Sequence, residues 1–515
     1  MIETVERRKS LVQRLLNGIE VVGNKVPHPA VIFVLLCVVV IALSQLFHML
    51  GTSVTFLLID PQTHRAHEET AVVNSLLTAD GIRYLFTSTV RNFMAFGPVG
   101  VILVVMVGVG IAEEAGLIRA LVRQIVNIAP RYAITFIIVF LGIISSIAQD
   151  AGYLVLLPLG AAAFYSIGRH PLAGLAAAFA GVAGLFGVNL LITPTDAILT
   201  EITNDAIHLV APTQSVTLTA NLWFSIASTL LMCVVCTFIT DRIVEPRLGK
   251  YEGAPVADGD TSGDEPAGEA RGLKFAGLAL LGFSAVVALL TLPPGAPLRD
   301  PQTGAIIGDS PFMASLIVLV MLLFLVTGIA YGAGARTLGG TKDYIGAVTK
   351  TYAGLADLLF LFLIISQFIA YFNYSNMATV AAVKMGDVLE HANVGSIWLL
   401  LAFMAVVAVV SLVLASIIPK WAIFAPIFIP LFMRLHVAPD VVLAAYRVAD
   451  SPANVVTPLM PYLALVVVFA RRYLPDAGVG TIVALMLPYY AALYIFWTLL
   501  FVAWYFFGLS FGPSV

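Results

Sequence analysis

Twice in this chain a long apolar run is broken by the same kinds of residue in the same order. The first break reads I-S-S-I-A-Q-D-A-G-Y-L-V-L-L-P over 144–158, then G-R-H-P, then N-L-L-I-T-P-T-D over 189–196. The second reads A-S-I-I-P-K-W-A-I-F-A-P-I-F-I-P over 415–430, then V-A-P-D, then A-D-S-P-A-N-V-V-T-P over 449–458. Each has a polar tip, a proline-studded return, an x-Pro restart and an Asn–Thr–Pro interruption. Such residues leave backbone groups without helical partners, and lipid supplies none, so the backbone survives only where it lines a cavity or packs in protein. Matched interruptions in two halves of a chain point to the midplane binding site of a secondary transporter. The pattern predicts a protein that moves a small-molecule substrate across a membrane.

Composition agrees. Of 515 residues 60% are hydrophobic and 11% charged, whereas soluble domains are about a quarter charged. Runs close to the ~20 residues that cross a bilayer recur, for example over 31–47, 275–292 and 312–330. The net charge is −3 with no basic patch, so membrane lipids are expected as partners and nucleic acid is not. Cys233-x-x-Cys236 has no second pair and no nearby His, and reads as two small packed residues. H-E-x-x-H, G-x-S-x-G with a suitable His, and a P-loop are all absent. An enzyme is therefore not expected, a channel suits broken spans poorly, and energy must come from an ion gradient. No cofactor is expected beyond Na+ or H+ as coupling ion.

Lys and Arg favour the cytoplasmic side, which places Arg7, Arg8, Lys9, Arg14 and Lys25 inside. Residues 132–168 start beside Arg131 and end beside Arg169, so both ends fall on one side. With a polar tip midway, that segment reads as a re-entrant hairpin. The predicted organisation is a cytoplasmic amphipathic N-terminal helix (1–27) and a first span with an outside loop (28–80). A first repeat (81–244, hairpin 132–168) and a flexible cytoplasmic linker (245–273) follow. Spans 5 and 6 (274–352) lead to a second, inverted repeat (353–510, hairpin 395–436). The fold class is an all-α polytopic membrane protein with nine transmembrane helices plus two re-entrant hairpins in an inverted-topology repeat, N-terminus inside and C-terminus outside. Span 2 is placed at about 82–116 and span 7 at about 353–385.

Ionisable residues within spans cost roughly 2.5–3.5 kcal/mol each on insertion, and so mark function. The candidates here are Asp150, Asp196, Lys420, Arg447 and Asp450, with Glu113, Glu114 and Asp357 nearer the span ends. Arg447 and Asp450 are three apart and can pair on one helix face, either to brace the break or to meet substrate. Asn189 with Thr193, and Asn454 with Thr457, precede Pro194 and Pro458. Amide, hydroxyl and proline-freed carbonyl oxygens suit Na+, and the same side chains also suit helix capping. With Ser146 and Asp150 at the first tip and Ser416 at the second, they form two pseudo-symmetric ion sites. Proton coupling through Asp150, Asp196 or Asp450 competes with Na+. Trp421 at the second tip can stack on a planar solute or pack against the opposing hairpin.

Over nearly its whole length the chain resembles the p-aminobenzoyl-glutamate transporter (AbgT) family. The resemblance is carried by Q-D-A-G-Y-L-V-L-L-P-L and G-R-H-P-L-A-G-L-A-A-A-F-A within 149–180, and by F-N-Y-S-N-M-A at 372–378. K-W-A-I-F-A-P-I-F-I-P at 420–430 and A-Y-R-V-A-D-S-P-A-N-V-V-T-P-L-M-P-Y at 445–462 extend it. It implies a homodimer in the bacterial inner membrane, with Asp196, Trp421, Pro439, Arg447, Asp450 and Pro458 in the transport site. It also implies uptake of p-aminobenzoyl-glutamate or efflux of sulfonamide antimetabolites, with di- or tricarboxylates as the alternative cargo. The family pattern has Ser three before the tip Trp, where this chain has Ile418, and hydroxyls where it has Ala449 and Ala453.

Overall fold

The computed structural model describes residues 29–59, 66–128, 130–146, 152–251, 268–306, 310–377, 379–380, 383–384, 395–412, 414, 416–457, 460 and 462–513. The predicted N-terminal helix, Asp150, Pro458 and the middle of the 245–273 linker lie outside them.

Among the described residues eight helices are long and apolar enough to cross a membrane. They include α1 (Pro29–Met49) and α2 (Gly97–Ala115). Shorter helices come next: α3 (Ile134–Ser145), α4 (Leu157–Ser166), α5 (Pro171–Phe179) and α6 (Pro194–Ile207). The long series resumes with α7 (Leu222–Ile239), α8 (Glu269–Thr291), α9 (Leu316–Ala335) and α10 (Ala356–Tyr374). The second half continues with α11 (Ser396–Ser411), α12 (Ile417–Arg434), α13 (Pro439–Asp450), α14 (Leu463–Arg471) and α15 (Val479–Phe506).

Several boundaries differ from the sequence reading. The stretch assigned to span 2 is three helices, Ala79–Thr87, Thr89–Ala95 and α2. Phe96 is extended ahead of α2 and Pro98 stands in its first turn, where a missing N–H costs nothing. The stretch assigned to span 7 is interrupted: α10 ends at Tyr374, Asn376 takes φ 57°, a left-handed conformation that Asn tolerates better than most residues, and helical residues resume at Met377. The Asn376 amide donates to Val72 O at 3.0 Å. That bond pins an antiparallel hairpin, β1 (Ser53–Ile59) on β2 (Ala66–Val72) with Ser53 opposite Val72, which the sequence reading treated as loop. The linker is helical at both ends, over Glu245–Leu248 and from Glu269 onward.

Helix α9 packs against both α2 and α8, and α2 packs in turn on α6, while α3 to α7 and α11 to α15 surround the interrupted segments. Only 6% of the apolar window of α8 is buried, against 72% for α12, so α8 is peripheral and α12 central. Close packing inside depends on small residues. A Cβ at Gly181 would lie 2.5 Å from Val139 O, and one at Gly142 would lie 2.8 Å from the Gly181 backbone. The α3 axis therefore runs against the turn after α5 nearly backbone to backbone, the role small residues take in membrane helix packing.

Gly181→Ala is expected to cost about 1–3 kcal/mol through overpacking, read as a lowered unfolding temperature in detergent. Gly480→Ala, where an added Cβ meets nothing within 4 Å, serves as the control and should not destabilise. Equal behaviour of the two would remove the close approach as a stabilising contact.

Candidate functional site

The two interruptions meet inside the molecule. After α5 the chain widens into a π turn (Ala180–Gly184), and after α13 it tightens into a 3₁₀ turn (Ser451–Val455); these turns pack against each other. Such irregular turns inside helices are frequent at functional sites. The Asn454 amide donates to Ala183 O at 3.3 Å, so each break supplies a partner for the other.

Helix α6 restarts the first half. Thr193 caps it, accepting from Asp196 N at 3.1 Å, while Asp196 Oδ2 accepts from Thr193 N and Oγ1, both at 2.8 Å. With Pro194 at the first position this is a complete capping box. The other carboxylate oxygen, Oδ1, pairs with Arg447 NH1, which also donates to Gly187 O at 3.2 Å. Pro439 opens α13, the half-helix carrying Arg447 and Asp450.

The Arg447–Asp450 pair predicted from spacing does not form. Arg447 faces Asp196, and Asp450 faces Lys420 instead. Three residues along a helix leave two side chains about 60° apart around the axis. That is enough to send one toward α6 and the other toward α12. Lys420 and Asp450 have no exposed side-chain surface. Ser411 Oγ donates to Asp450 Oδ1 at 2.7 Å and accepts from Lys420 Nζ at 3.1 Å.

Trp421 is fully buried. Its face stacks on Tyr446 at 4.6 Å between centroids, and its Nε1 donates to Thr203 Oγ1 at 3.0 Å and Leu199 O at 3.3 Å. In this conformation the indole ties α12 to α6 and α13, and its stacking partner is a side chain of the protein itself.

Of the first predicted ion site, Ser146, Asn189 and Thr193 are all buried. Asn189 Nδ2 donates to Ile143 O at 2.8 Å and to Ser146 Oγ at 3.1 Å, and its Oδ1 accepts from Leu191 N at 3.1 Å. This amide fastens the end of α3 to the break after α5. Of the second, Thr457 Oγ1 donates to Leu412 O at 2.8 Å, Asn454 Oδ1 is buried without a hydrogen-bond partner among the described residues, and Ser416 is exposed at the start of α12.

Sequence reasoning passed over a crevice beside the Arg447–Asp196 pair. Asn189, Leu191, Asp196, Asn221, Ser225 and Arg447 line it as a narrow, open-sided cleft. Arg447 Nε and Asn221 Oδ1, a donor and an acceptor, are buried there without partners among the described residues. Asn221 and Ser225 precede or begin an ordinary apolar helix, so nothing local singled them out.

A second network braces the foot of α4. Arg169 donates from Nε to both oxygens of Glu245 (3.1 and 3.0 Å), from NH2 to Asp241 Oδ1 (2.5 Å) and from NH1 to Thr135 Oγ1 (2.8 Å). Its guanidinium also lies 4.0 Å from the Phe164 ring centroid. Burial beside this network holds the His170 imidazole below its ordinary pKa, with Glu245 opposing.

Half-helices that end inside an apolar body and turn charged side chains toward one another characterise secondary transporters, and that is the class of this protein. The family model described as "AbgT putative transporter family" matches residues 14–515, and the chain belongs to that family. It is 34% identical over 503 residues to the p-aminobenzoyl-glutamate transport protein of Escherichia coli (strain K12), covering 98% of this chain and 96% of that protein. Its fold is similar to the crystal structure of the Alcanivorax borkumensis YdaH transporter: TM-score 0.88, 42% identity, 95% of this chain and 100% of that one. It is also similar to Neisseria gonorrhoeae MtrF, whose structure is described as illuminating a class of antimetabolite efflux pumps: TM-score 0.88, 38% identity, 98% and 100% covered. The protein is a multi-pass membrane transporter and not an enzyme.

Proposed function

We propose that this protein carries a small organic anion of the p-aminobenzoyl-glutamate class, or a related antimetabolite, by ion-coupled alternating access. The observation that carries the reading is the Arg447–Asp196 pair, which joins two interrupted helices at the wall of a crevice. A guanidinium presents a planar fork to carboxylates. A substrate carboxylate competes with Asp196 for it, so binding loosens one half from the other. Asn221 Oδ1 offers an acceptor to an amide or amine on the same guest. Trp421 acts through packing, carrying movement of α12 to α6 and α13.

Nine spans with two re-entrant hairpins are part of the same reading. Helix α3 has 12 residues, about 18 Å of rise, too short for a ~30 Å hydrocarbon core. The segments 132–168 and 395–436 then enter and leave on one side, in inverted repeats. The N-terminus is placed in the cytoplasm and the C-terminus in the periplasm of a bacterial inner membrane. The apolar outer face of α8 is left for lipid or the second copy of a homodimer. Na+ is assigned to the first half, at the buried neutral oxygens of Ser146, Asn189 and Thr193.

In proteoliposomes, p-aminobenzoyl-glutamate should compete for the site at least tenfold better than an aliphatic dicarboxylate or the uncharged p-aminobenzamide, since each loses about 1.4 kcal/mol or more of contact. Equal competition by the aliphatic acid would move the assignment to simple dicarboxylates.

A further inference from the structure

One fully buried charge has no part in the mechanism above. Lys420 lies in the first turn of α12, with Nζ paired to Asp450 Oδ1 and hydrogen-bonded to Ser411 Oγ. Ser411 is the last residue of α11 and Asp450 the last of α13. Two helix C-termini, each the negative end of its dipole, therefore converge with a carboxylate on one ammonium. Half-helix C-termini and unwound backbone are where transporters of this kind hold a coupling cation. The carboxylate holds more acceptor capacity than the ammonium uses, since Asp450 Oδ2 is buried without a partner among the described residues. The first half lacks this arrangement, since Leu185 stands four before Asn189 where Asp450 stands four before Asn454.

We infer that the Lys420 ammonium is the built-in cation of the second half, and that the proton on its Nζ is a coupling ion exchanged with water during transport. The inference rests on the transporter reading above. With the second hairpin closed on α13, the pair is complete and neutral overall. When the hairpin withdraws, Nζ loses Asp450 while the side chain starts from a position with no exposed surface. An unpaired ammonium is disfavoured there relative to the amine. One proton leaves Nζ for the water then in contact with the site, and closure requires one proton to be taken up again from the side then open.

Other titratable groups lie on the elements packed against α12: Asp196, Glu201 and Asp205 on α6, Asp440, Tyr446 and Arg447 on α13, and Asp357, Tyr371 and Tyr374 on α10. Asp450 is the group whose charge acts on Lys420. Tyr446 gives its hydroxyl proton to Ile417 O at 2.5 Å, and Arg447 is turned to Asp196.

The test uses the full chain in proteoliposomes with Na+ equal on both sides and p-aminobenzoyl-glutamate as probe. It compares accumulation driven by a pH gradient with exchange in the absence of any gradient. Lys420→Arg keeps a cation on Asp450, but a guanidinium does not give up its proton at accessible pH. Accumulation should fall at least about tenfold in this variant, with exchange and substrate affinity within about threefold of the parent. In the uncharged double variant Lys420→Met/Asp450→Asn, which removes both charges together and so leaves neither stranded, the folded protein should show no accumulation in response to the pH gradient. Undiminished pH-driven accumulation by either folded variant overturns the inference. So does loss of exchange along with accumulation in folded Lys420→Arg, which would place Lys420 in substrate passage. Absence of exchange by the parent protein would instead count against the substrate reading.

Discussion

Substituting Asp450 by Asn is expected to destabilise the protein by about 3–5 kcal/mol, the range for removing one partner of a buried ion pair. The carboxylate and the Lys420 ammonium are both without exposed side-chain surface. Losing the carboxylate strands a charge that neither solvent nor lipid reaches. Ser411 still accepts from Lys420 but loses the anionic acceptor of its own hydroxyl, which donates to Asp450 Oδ1. Exchanging both charged residues for apolar ones of similar size should recover most of the loss, because neither charge is then left behind. The exposed Asp80–Arg83 pair supplies the contrast: Asp80→Asn should change stability by no more than about 0.5 kcal/mol. Unfolding temperatures of the four proteins in one detergent check the series. An Asp450→Asn protein as stable as the parent would mean that water reaches the pair.

The second large effect is a divergence between two substitutions at one contact. Arg447→Gln is expected to abolish binding of the anionic substrate. Asp196→Asn should instead tighten it by roughly 10–100-fold while stopping turnover, as removing a competing charge-assisted contact of about 1.5–3 kcal/mol would do. The amide introduced at position 196 keeps one oxygen to cap α6, in place of the carboxylate oxygen that accepts from Thr193, so the helix start survives. What disappears is the anion that retakes Arg447 when substrate leaves. Equilibrium binding on purified variants, measured beside flux, separates the two. If both substitutions weakened binding equally, the pair would be a brace and the substrate would be held elsewhere.

These expectations show where sequence and structure divide. The interruptions could be read from the chain alone because lipid makes backbone satisfaction a local matter. Asn189–Thr193 and Ser451–Val455 had to depart from a regular α-helix wherever the rest of the chain went. The capping box of Thr193 and Asp196 was equally local, two side chains three positions apart closing on each other. Family membership followed from long motifs around the same residues.

The partners of the charges could not be read this way. Arg447 pairs with a carboxylate 251 positions away and not with the one three positions away. Lys420 was visible as a costly residue but not as the counter-ion of Asp450, and Asn221 gave no local sign that it borders a crevice. A position on a helix limits a side chain to an arc, and which neighbour occupies that arc depends on how α6, α12 and α13 cross. Sequence by itself determined where backbone order had to fail. Tertiary packing decided which charges met there, because in a medium of low dielectric each buried charge needs a partner, and the partner is whichever side chain the crossing helices bring within reach.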